Sequence, residues 1–349
     1  MVLKIAQLAH SIDLSTGGVA KAVIDLGKAF TEEGVNNISI VQNNELDVID
    51  LDLLIAHGLW QWPGSFAYKL MKEKGIPYII FPHGMMDPWF KQTYRLKHLK
   101  KQFYWWLRQG EILRKATAVC FTTEEERHLA QRTFWPYQAK EVVTGLGVSD
   151  PPPVDKESKD LFPQKFPEVI GKRILLYMGR IHPKKGLDIL LKAFAKQVEE
   201  NHLLVIAGPI DWSEPYFKKL QNISQNLGNK VLWTDMLEGD LKWGALHSAD
   251  ALILPSHQEN YGMVVAEACS VGTPVFITDK VSLYREILQY DAGFVEKDTV
   301  EGIEKLIGTW ASGEHNNKRQ NATKCFQKKL HISRCAQEII GILQNKVTR

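Results

Sequence analysis

The chain has 349 residues, and at about 150 residues per domain that length makes room for roughly two hydrophobic cores, which excludes a disulfide-stapled miniprotein. With 44% hydrophobic and 24% charged residues and a mean hydropathy of −0.21, the composition is that of an ordinary folded chain and excludes disorder, collagen and coiled coil. The 43 Lys and Arg against 40 Asp and Glu leave a formal charge of +3, too little for wholesale nucleic-acid binding, so no nucleic-acid partner is expected and any basic site has to be local.

The apolar run at 3–8 predicts a buried strand, the polar and glycine-containing residues after it a loop, and the apolar spacing of VAKAVIDLGKAF a helix. The alternation continues through the strand DLLIAHG, a helix over 65–74, the strand PYIIF, a long helical stretch to Lys115 and the strand AVCFT. Such repetition predicts a parallel sheet covered by helices. Between 148 and 171 the pattern gives way to SDPPPVDKESKDLFPQKFPEVIG, rich in Pro and charge and without hydrophobic periodicity, which reads as a linker. It then restarts as RILLYMG, GLDILLKAFAKQ, LLVIAG, a helix from Tyr216, KVLWT, a helix near Leu241, ALILP, GMVVAEACS and PVFIT. The expected organisation is α/β throughout, with one parallel-sheet domain over 1–160, a second over 161–330, and an amphipathic helix over 331–349 that returns toward the first.

Cys120, Cys269, Cys325 and Cys335 lie far apart, with no Cys-x-x-Cys spacing and no His pair at zinc-ligand distance, which fits a reducing compartment. The opening MVLKIAQLAHSI lacks the sustained apolar stretch of a secretory signal, and no uncharged run of about 18 residues occurs. The expectation is a cytoplasmic protein that at most rests on the inner face of the plasma membrane.

The block PSHQENYGMVVAEACSVGTPV follows the strand ALILP. A helix starting near Tyr261 or Gly262 leaves Glu259 in the preceding loop and Glu267 in the second turn, with main-chain amides of 261–265 exposed between them. Such a helix start attracts an anion, and a glycine there allows close approach. A phosphate flanked by two carboxylates that bind hydroxyls describes a nucleotide sugar; the alternative is a pair of unremarkable helix charges. In GRIHPKKG, Arg180 and Lys185 project from a carboxyl strand end, where open parallel sheets bind ligands, and together suit a diphosphate; otherwise they form a basic turn that caps a helix. Gly17 and Gly18 after the first strand either bring amides to a phosphate or accommodate a turn, and match neither a Walker loop nor GxGxxG. His83 in PHGMMDPW either meets a substrate hydroxyl or holds a turn. His57 in AHGLWQWP is ambiguous, and Trp60 and Trp62 either stack on sugar or pack locally. The DLD triplet at Asp50 and Asp52 directly precedes a strand and reads as its boundary, so no metal and no cofactor is expected.

Taken together, the Gly-Gly pair, PHGMMDPW, GRIHPKKG and the Glu, seven residues, Glu block resemble the retaining family-4, or group 1, glycosyltransferases. The likeness covers nearly the whole chain and is strongest over 173–278. It implies a GT-B fold of two facing Rossmann-like domains, acceptor domain first and donor domain second. HGLWQWP and PHGMMDPW resemble a bacterial subgroup that builds exopolysaccharide or lipid-linked oligosaccharide. The resemblance further implies that Arg180 and Lys185 bind the donor diphosphate, Glu267 the ribose and Glu259 the transferred sugar. Amides of Asn260, Tyr261, Gly262, Met263 and Val264 would assist, His83 would face the sugar, and the base would lie near Gly208 and the 234–237 segment ending at Leu237. UDP-glucose is the favoured donor, ahead of GDP-mannose and UDP-N-acetylglucosamine, and a glycan or lipid-linked saccharide the acceptor. A sugar-nucleotide epimerase or a non-catalytic sensor of similar architecture remain the alternatives. One departure from the family pattern is expected between Asn36 and Asp52, where little room is left for an extra strand.

The segment from Phe90 to Lys115 interleaves Lys91, Arg95, Lys97, Lys100, Lys101, Arg108, Arg114 and Lys115 with Tyr94, Phe103, Tyr104, Trp105 and Trp106. Either it lies in an anionic bilayer interface, or its aromatics pack inward beneath a solvated basic face.

Overall fold

The computed structural model describes residues 2–13, 17–40, 50–153, 156–197 and 199–347. The chain divides into two compact units, Met1–Ser149 with Leu330–Arg349, and Asp150–Lys329. The strands of the first are β1 (Lys4–Leu8), β2 (Asn36–Ile40), β3 (Leu53–His57), β4 (Tyr78–Phe81), β5 (Ala118–Phe121) and β6 (Glu141–Val143), all parallel and ordered β2-β1-β3-β4-β5-β6. Its crossovers carry α1 (Gly18–Glu32), α2 (Trp62–Lys74), α3 (Pro88–Thr93), α4 (Arg95–Tyr104), α5 (Gly110–Lys115) and α6 (Glu124–Ala130), with a π turn at Trp105–Gln109 joining α4 to α5. Because a parallel sheet is covered on both faces, its central strands are predominantly apolar, with Gln7 of β1 and His57 of β3 as buried polar exceptions. LLIAH of β3 and YIIF of β4 are buried at every position. On one face Leu54, Ala56, Tyr78, Ile80, Val119 and Phe121 pack with Ala67 and Leu70 of α2, Ile112 and Leu113 of α5, and Trp105.

The second unit repeats the plan with β7 (Arg173–Met178), β8 (His202–Ala207), β9 (Val231–Asp235), β10 (Ala251–Leu254), β11 (Val275–Thr278) and β12 (Gly293–Glu296), parallel and ordered β12-β11-β10-β7-β8-β9. Its helices are α7 (Lys156–Lys165), α8 (Leu187–Gln197), α9 (Pro215–Ser224), α10 (Gly239–Ser248), α11 (Met263–Ser270), α12 (Tyr284–Gln289), α13 (Val300–Ser312) and α14 (Arg319–Cys325). The last helix, α15 (Ile332–Val347), packs on α1 and belongs to the first unit. Its Cys335, Ala336, Ile339 and Leu343 are buried there. All four cysteines are buried free thiols.

Both sheets reverse direction once. The chain order runs outward from β7 to β9 on one side and from β10 to β12 on the other, so β7 and β10 are neighbours whose following loops part in opposite directions. The first sheet has the same reversal between β1 and β3. In open parallel sheets the carboxyl ends at such a point form the ligand crevice.

Several expectations need correction. Asn36–Ile40 does form a strand, pairing with β1 from Lys4↔Asn36 to Leu8↔Ile40, so the interval after Asn36 holds what was expected to be missing. The stretch read as a linker contains α7, which packs on α10 and buries Phe162 completely, so the division between units falls at Ser149/Asp150 rather than at 160, and the returning segment begins at Leu330. Asp52 accepts a hydrogen bond from the Lys4 main-chain N–H at 2.8 Å and Asp50 pairs with the Lys4 ammonium, which makes both carboxylates boundary groups of β1 and β3.

Candidate functional site

In the second unit the GRIHPKKG turn follows β7 and the PSHQENYG loop follows β10, at the point where the sheet reverses. The loops are joined by a main-chain hydrogen bond from His257 N–H to Lys184 O at 2.8 Å. Lys185, in a short 3-10 turn, forms an ion pair with Glu259. Both side chains are largely buried, at 15% and 19% exposure, so cation and carboxylate are held in one partly desolvated spot. The Glu259 main chain is pinned on both sides, its N–H donating to Lys280 O at 3.0 Å and its O accepting from Ser282 N at 3.1 Å. Arg180 is exposed, and its main-chain O accepts from the Tyr177 hydroxyl at 2.8 Å, which fixes the turn that carries it.

Gly262 is the residue before α11 and lies at φ +80°, a left-handed conformation that L side chains rarely adopt. The helix therefore starts at Met263, just after the expected start near Tyr261 or Gly262, with Met263 and Val264 half-buried in its first turn and Tyr261 buried just outside. One expected amide is already engaged, since Val265 N–H donates to Gly262 O at 2.8 Å. Asn260 lies half-buried in the loop between Glu259 and this helix start. Glu267 is 3% exposed and its carboxylate meets Lys242 Nζ of α10 at 2.6 Å. Lys242 was not singled out in the sequence, where nothing marks it except that a buried carboxylate nearby requires a cation.

At the end of β8, a Cβ on Gly208 would lie 2.0 Å from Gly179 O, so only glycine lets this loop close on the β7 turn. Gly208 N–H donates to Asp235 O at 3.0 Å, and the Asp235 carboxylate accepts from Ile210 N at 3.1 Å and Met236 N at 2.8 Å. The Leu237 side chain is buried, whereas that of Met236 before it is exposed.

In the first unit His83 follows β4 at φ +50°, unusual for a residue with a Cβ. Gly84 N–H donates to Glu126 Oε1 at 2.6 Å, and Glu126 Oε2 accepts from Thr122 N at 2.8 Å and Thr122 Oγ1 at 2.6 Å. That buried carboxylate, set in the first turn of α6 by the Thr123 cap, holds the turn in shape. His83 Nε2 lies 2.9 Å from His57 Nδ1, and burial lowers the pKa of His83 to about 4 and pushes that of His57 well below the ordinary range, with His83 adding to the shift. Trp60 packs on Phe134 at 5.0 Å and Trp105 at 6.4 Å between ring centroids, and Trp62 on Phe66 at 5.7 Å. Gly17 is the residue before α1, at φ +111°, and Gly18 opens the helix; a Cβ on Gly17 would meet nothing. The Ser-Thr part of that loop lies outside the described residues. Among the described residues no group of three or more His, Cys, Asp or Glu is placed to hold a metal ion.

The family model for glycosyl transferases group 1 matches residues 158–328, and that for the glycosyl transferase 4-like domain matches residues 48–147. The chain belongs to the group 1 glycosyltransferases, and its two six-stranded parallel units have the GT-B fold. An uncharacterised glycosyltransferase of Methanocaldococcus jannaschii is 28% identical over 180 residues, which cover 49% of this chain and 44% of that relative's length. The chain thus spans less than half of that curated relative. Among solved structures, sucrose-phosphate synthase from Thermosynechococcus elongatus superposes with TM-score 0.76 at 17% identity over 99% of both chains. HepE of Anabaena, solved with UDP and glucose, gives TM-score 0.75 at 16% identity over 98% of this chain and 100% of its own.

Proposed function

We propose that the protein is a retaining, metal-independent glycosyltransferase that moves a hexose from a nucleotide sugar, UDP-glucose first, to a hydroxyl of a glycan or lipid-linked saccharide in polysaccharide biosynthesis. The observation that carries this reading is the gathering of Lys185, Glu259 and the start of α11 where the second sheet reverses. An anion arriving at that helix start draws Lys185 toward it, and Glu259 is then released to accept from sugar hydroxyls. Glu267, paired with Lys242 at 2.6 Å, accepts from the ribose hydroxyls, and the main chain near Gly208 and Leu237 reads the base. UDP is favoured because HepE, of the same fold, was solved with UDP and glucose.

The chemistry follows from that placement. The bond from the anomeric carbon to the diphosphate breaks, negative charge grows on the departing phosphate, and Arg180 and Lys185 stabilise it. The acceptor hydroxyl attacks the same face and passes its proton to a phosphate oxygen. No carboxylate nucleophile is required, and the rate rests on positioning and charge stabilisation. His83 contacts the substrate. A thermal-shift screen with UDP, GDP, ADP and their sugars tests the reading, since a ligand that binds only the folded state raises its stability. Selective stabilisation by UDP and UDP-glucose is expected. A preference for GDP or ADP would overturn the donor, and no response to any nucleotide would overturn the function.

We further propose that the enzyme is cytoplasmic and rests on an anionic bilayer through the segment around α4. Leu96, Leu99, Phe103, Trp106 and Leu107 recur at helical spacing yet are 78%, 63%, 60%, 57% and 67% exposed. Trp105, by contrast, is buried, so the segment's aromatics divide between core and surface. The only acidic residue from Phe90 to Lys115 is Glu111, and such a cationic face repels a second copy of itself but attracts acidic headgroups. No described helix is long and apolar enough to cross a membrane. Flotation with phosphatidylglycerol vesicles is expected to carry the wild type and to lose a Leu99→Asp, Phe103→Asp variant, with weaker recovery in high salt. Equal behaviour of the two proteins would contradict the surface.

A further inference from the structure

The first sheet reverses between β1 and β3, and a chain of buried and part-buried hydrogen bonds crosses that point. Gln7 on β1 is fully buried, and its Nε2 donates to the main-chain O of Val23 and to Asn37 Oδ1, each at 3.1 Å. Its Oε1 lies 3.0 Å from His57 Nε2, and His57 Nδ1 lies 2.9 Å from His83 Nε2. The three rings of His57, Phe81 and His83 lie within 11° to 21° of parallel, with centroids 5.2 to 5.6 Å apart, and the two imidazoles meet edge to edge.

The direction of this chain is fixed at one end. A main-chain carbonyl only accepts, so Val23 O demands the amide nitrogen of Gln7, and a flipped amide would set two carbonyl oxygens 3.1 Å apart. Gln7 Oε1 therefore accepts, and His57 Nε2 carries the proton. A neutral ring then has its lone pair at Nδ1, so the facing Nε2 of His83 must donate. Burial keeps both rings neutral near pH 7, with one proton each. The remaining nitrogen of His83, Nδ1, is left as an acceptor.

We propose that Gln7 and His57 are positioning residues that hold His83 in the Nε2–H tautomer, so that His83 Nδ1 accepts a hydrogen bond from a sugar hydroxyl and refuses a phosphate oxygen, which has no proton to give. The inference rests on the reading of His83 as a substrate contact.

Long-range nitrogen–proton correlation spectra of the full chain labelled at histidine nitrogens, with His83 assigned from the His83→Ala spectrum, read the tautomer directly. The wild type is expected to show His57 and His83 both protonated at Nε2, and Gln7→Leu to show an Nδ1–H population at both. A wild-type His83 protonated at Nδ1, or a Gln7→Leu spectrum identical to wild type, overturns the proposal. Kinetically, His57→Phe keeps a flat ring at this position and removes the hydrogen bond, and is expected to lower turnover about fivefold to tenfold with unchanged UDP affinity. Wild-type turnover in His57→Phe, together with a loss in His83→Ala, overturns the positioning role. Unchanged turnover in His83→Ala itself overturns instead the reading of His83 as a substrate contact, while the spectra still decide the tautomer.

Discussion

A charge-assisted hydrogen bond to a diphosphate contributes roughly 1.5–3 kcal/mol, so Arg180→Ala is expected to weaken UDP binding about tenfold to a hundredfold by calorimetric titration. His83→Ala is expected to lower turnover and leave UDP affinity unchanged, and equal losses of affinity would contradict that division of labour. The two histidines also make stability depend on pH. An unfolded histidine titrates near ~6.5, whereas His83 titrates at about 4 in the fold. Between these values the unfolded chain binds a proton that the folded chain refuses. Stability is therefore full above the unfolded value and falls as pH drops toward the folded one, by up to about 3 kcal/mol for a half-buried group; His57 acts in the same direction. Urea unfolding at pH 7 and pH 5 should show a smaller loss in His83→Asn than in the wild type, and equal losses would contradict the linkage. Residue by residue, Glu259, Glu267, Arg180 and Lys185 stood out as candidates because they sit in dense motifs. Gln7, Glu126 and Lys242 were not, because each acts on a residue distant in sequence and only the fold brings the partners together.

Among the elements, α10 and α11 are linked by the Lys242–Glu267 pair, whose carboxylate side chain is 4% exposed. Lys242→Met leaves that charge buried and unpaired and is expected to destabilise the protein by about 2 kcal/mol, below the full cost of a buried pair because the lysine is partly solvated. Adding Glu267→Gln should recover most of the loss in chemical denaturation, whereas additive losses would contradict the coupling. The central strands were legible because a covered parallel sheet makes them continuous apolar runs. NNISI of β2 and EVV of β6 were missed because they are half-exposed edge strands that bury too little to leave such a run. The helix α7 was missed for a related reason. It buries Phe162 against the unit while carrying Pro163 and a run of charges that mask any period.

At the scale of the whole chain, two sheets with one reversal each account for where paired polar side chains gather: Lys185 and Glu259 at the second, Gln7 and His57 at the first. The last helix was legible from the amphipathic period of 332–346, while its partner α1 was not, since periodicity gives a face without saying what covers it. Removing the chain from Leu330 onward uncovers α1, including the contact of Gln337 with Glu33 at 2.8 Å. Calorimetry of that truncated chain is expected to show the first unit melting earlier and the second still protected by UDP, and a single unshifted transition would contradict the assignment of α15. The central claim is tested most directly by a crystal structure of the protein with UDP-glucose. The diphosphate is expected within hydrogen-bond distance of Lys185 Nζ and the first turn of α11, with the ribose at Glu267. A donor bound in another place, its phosphates away from both groups, would contradict the account.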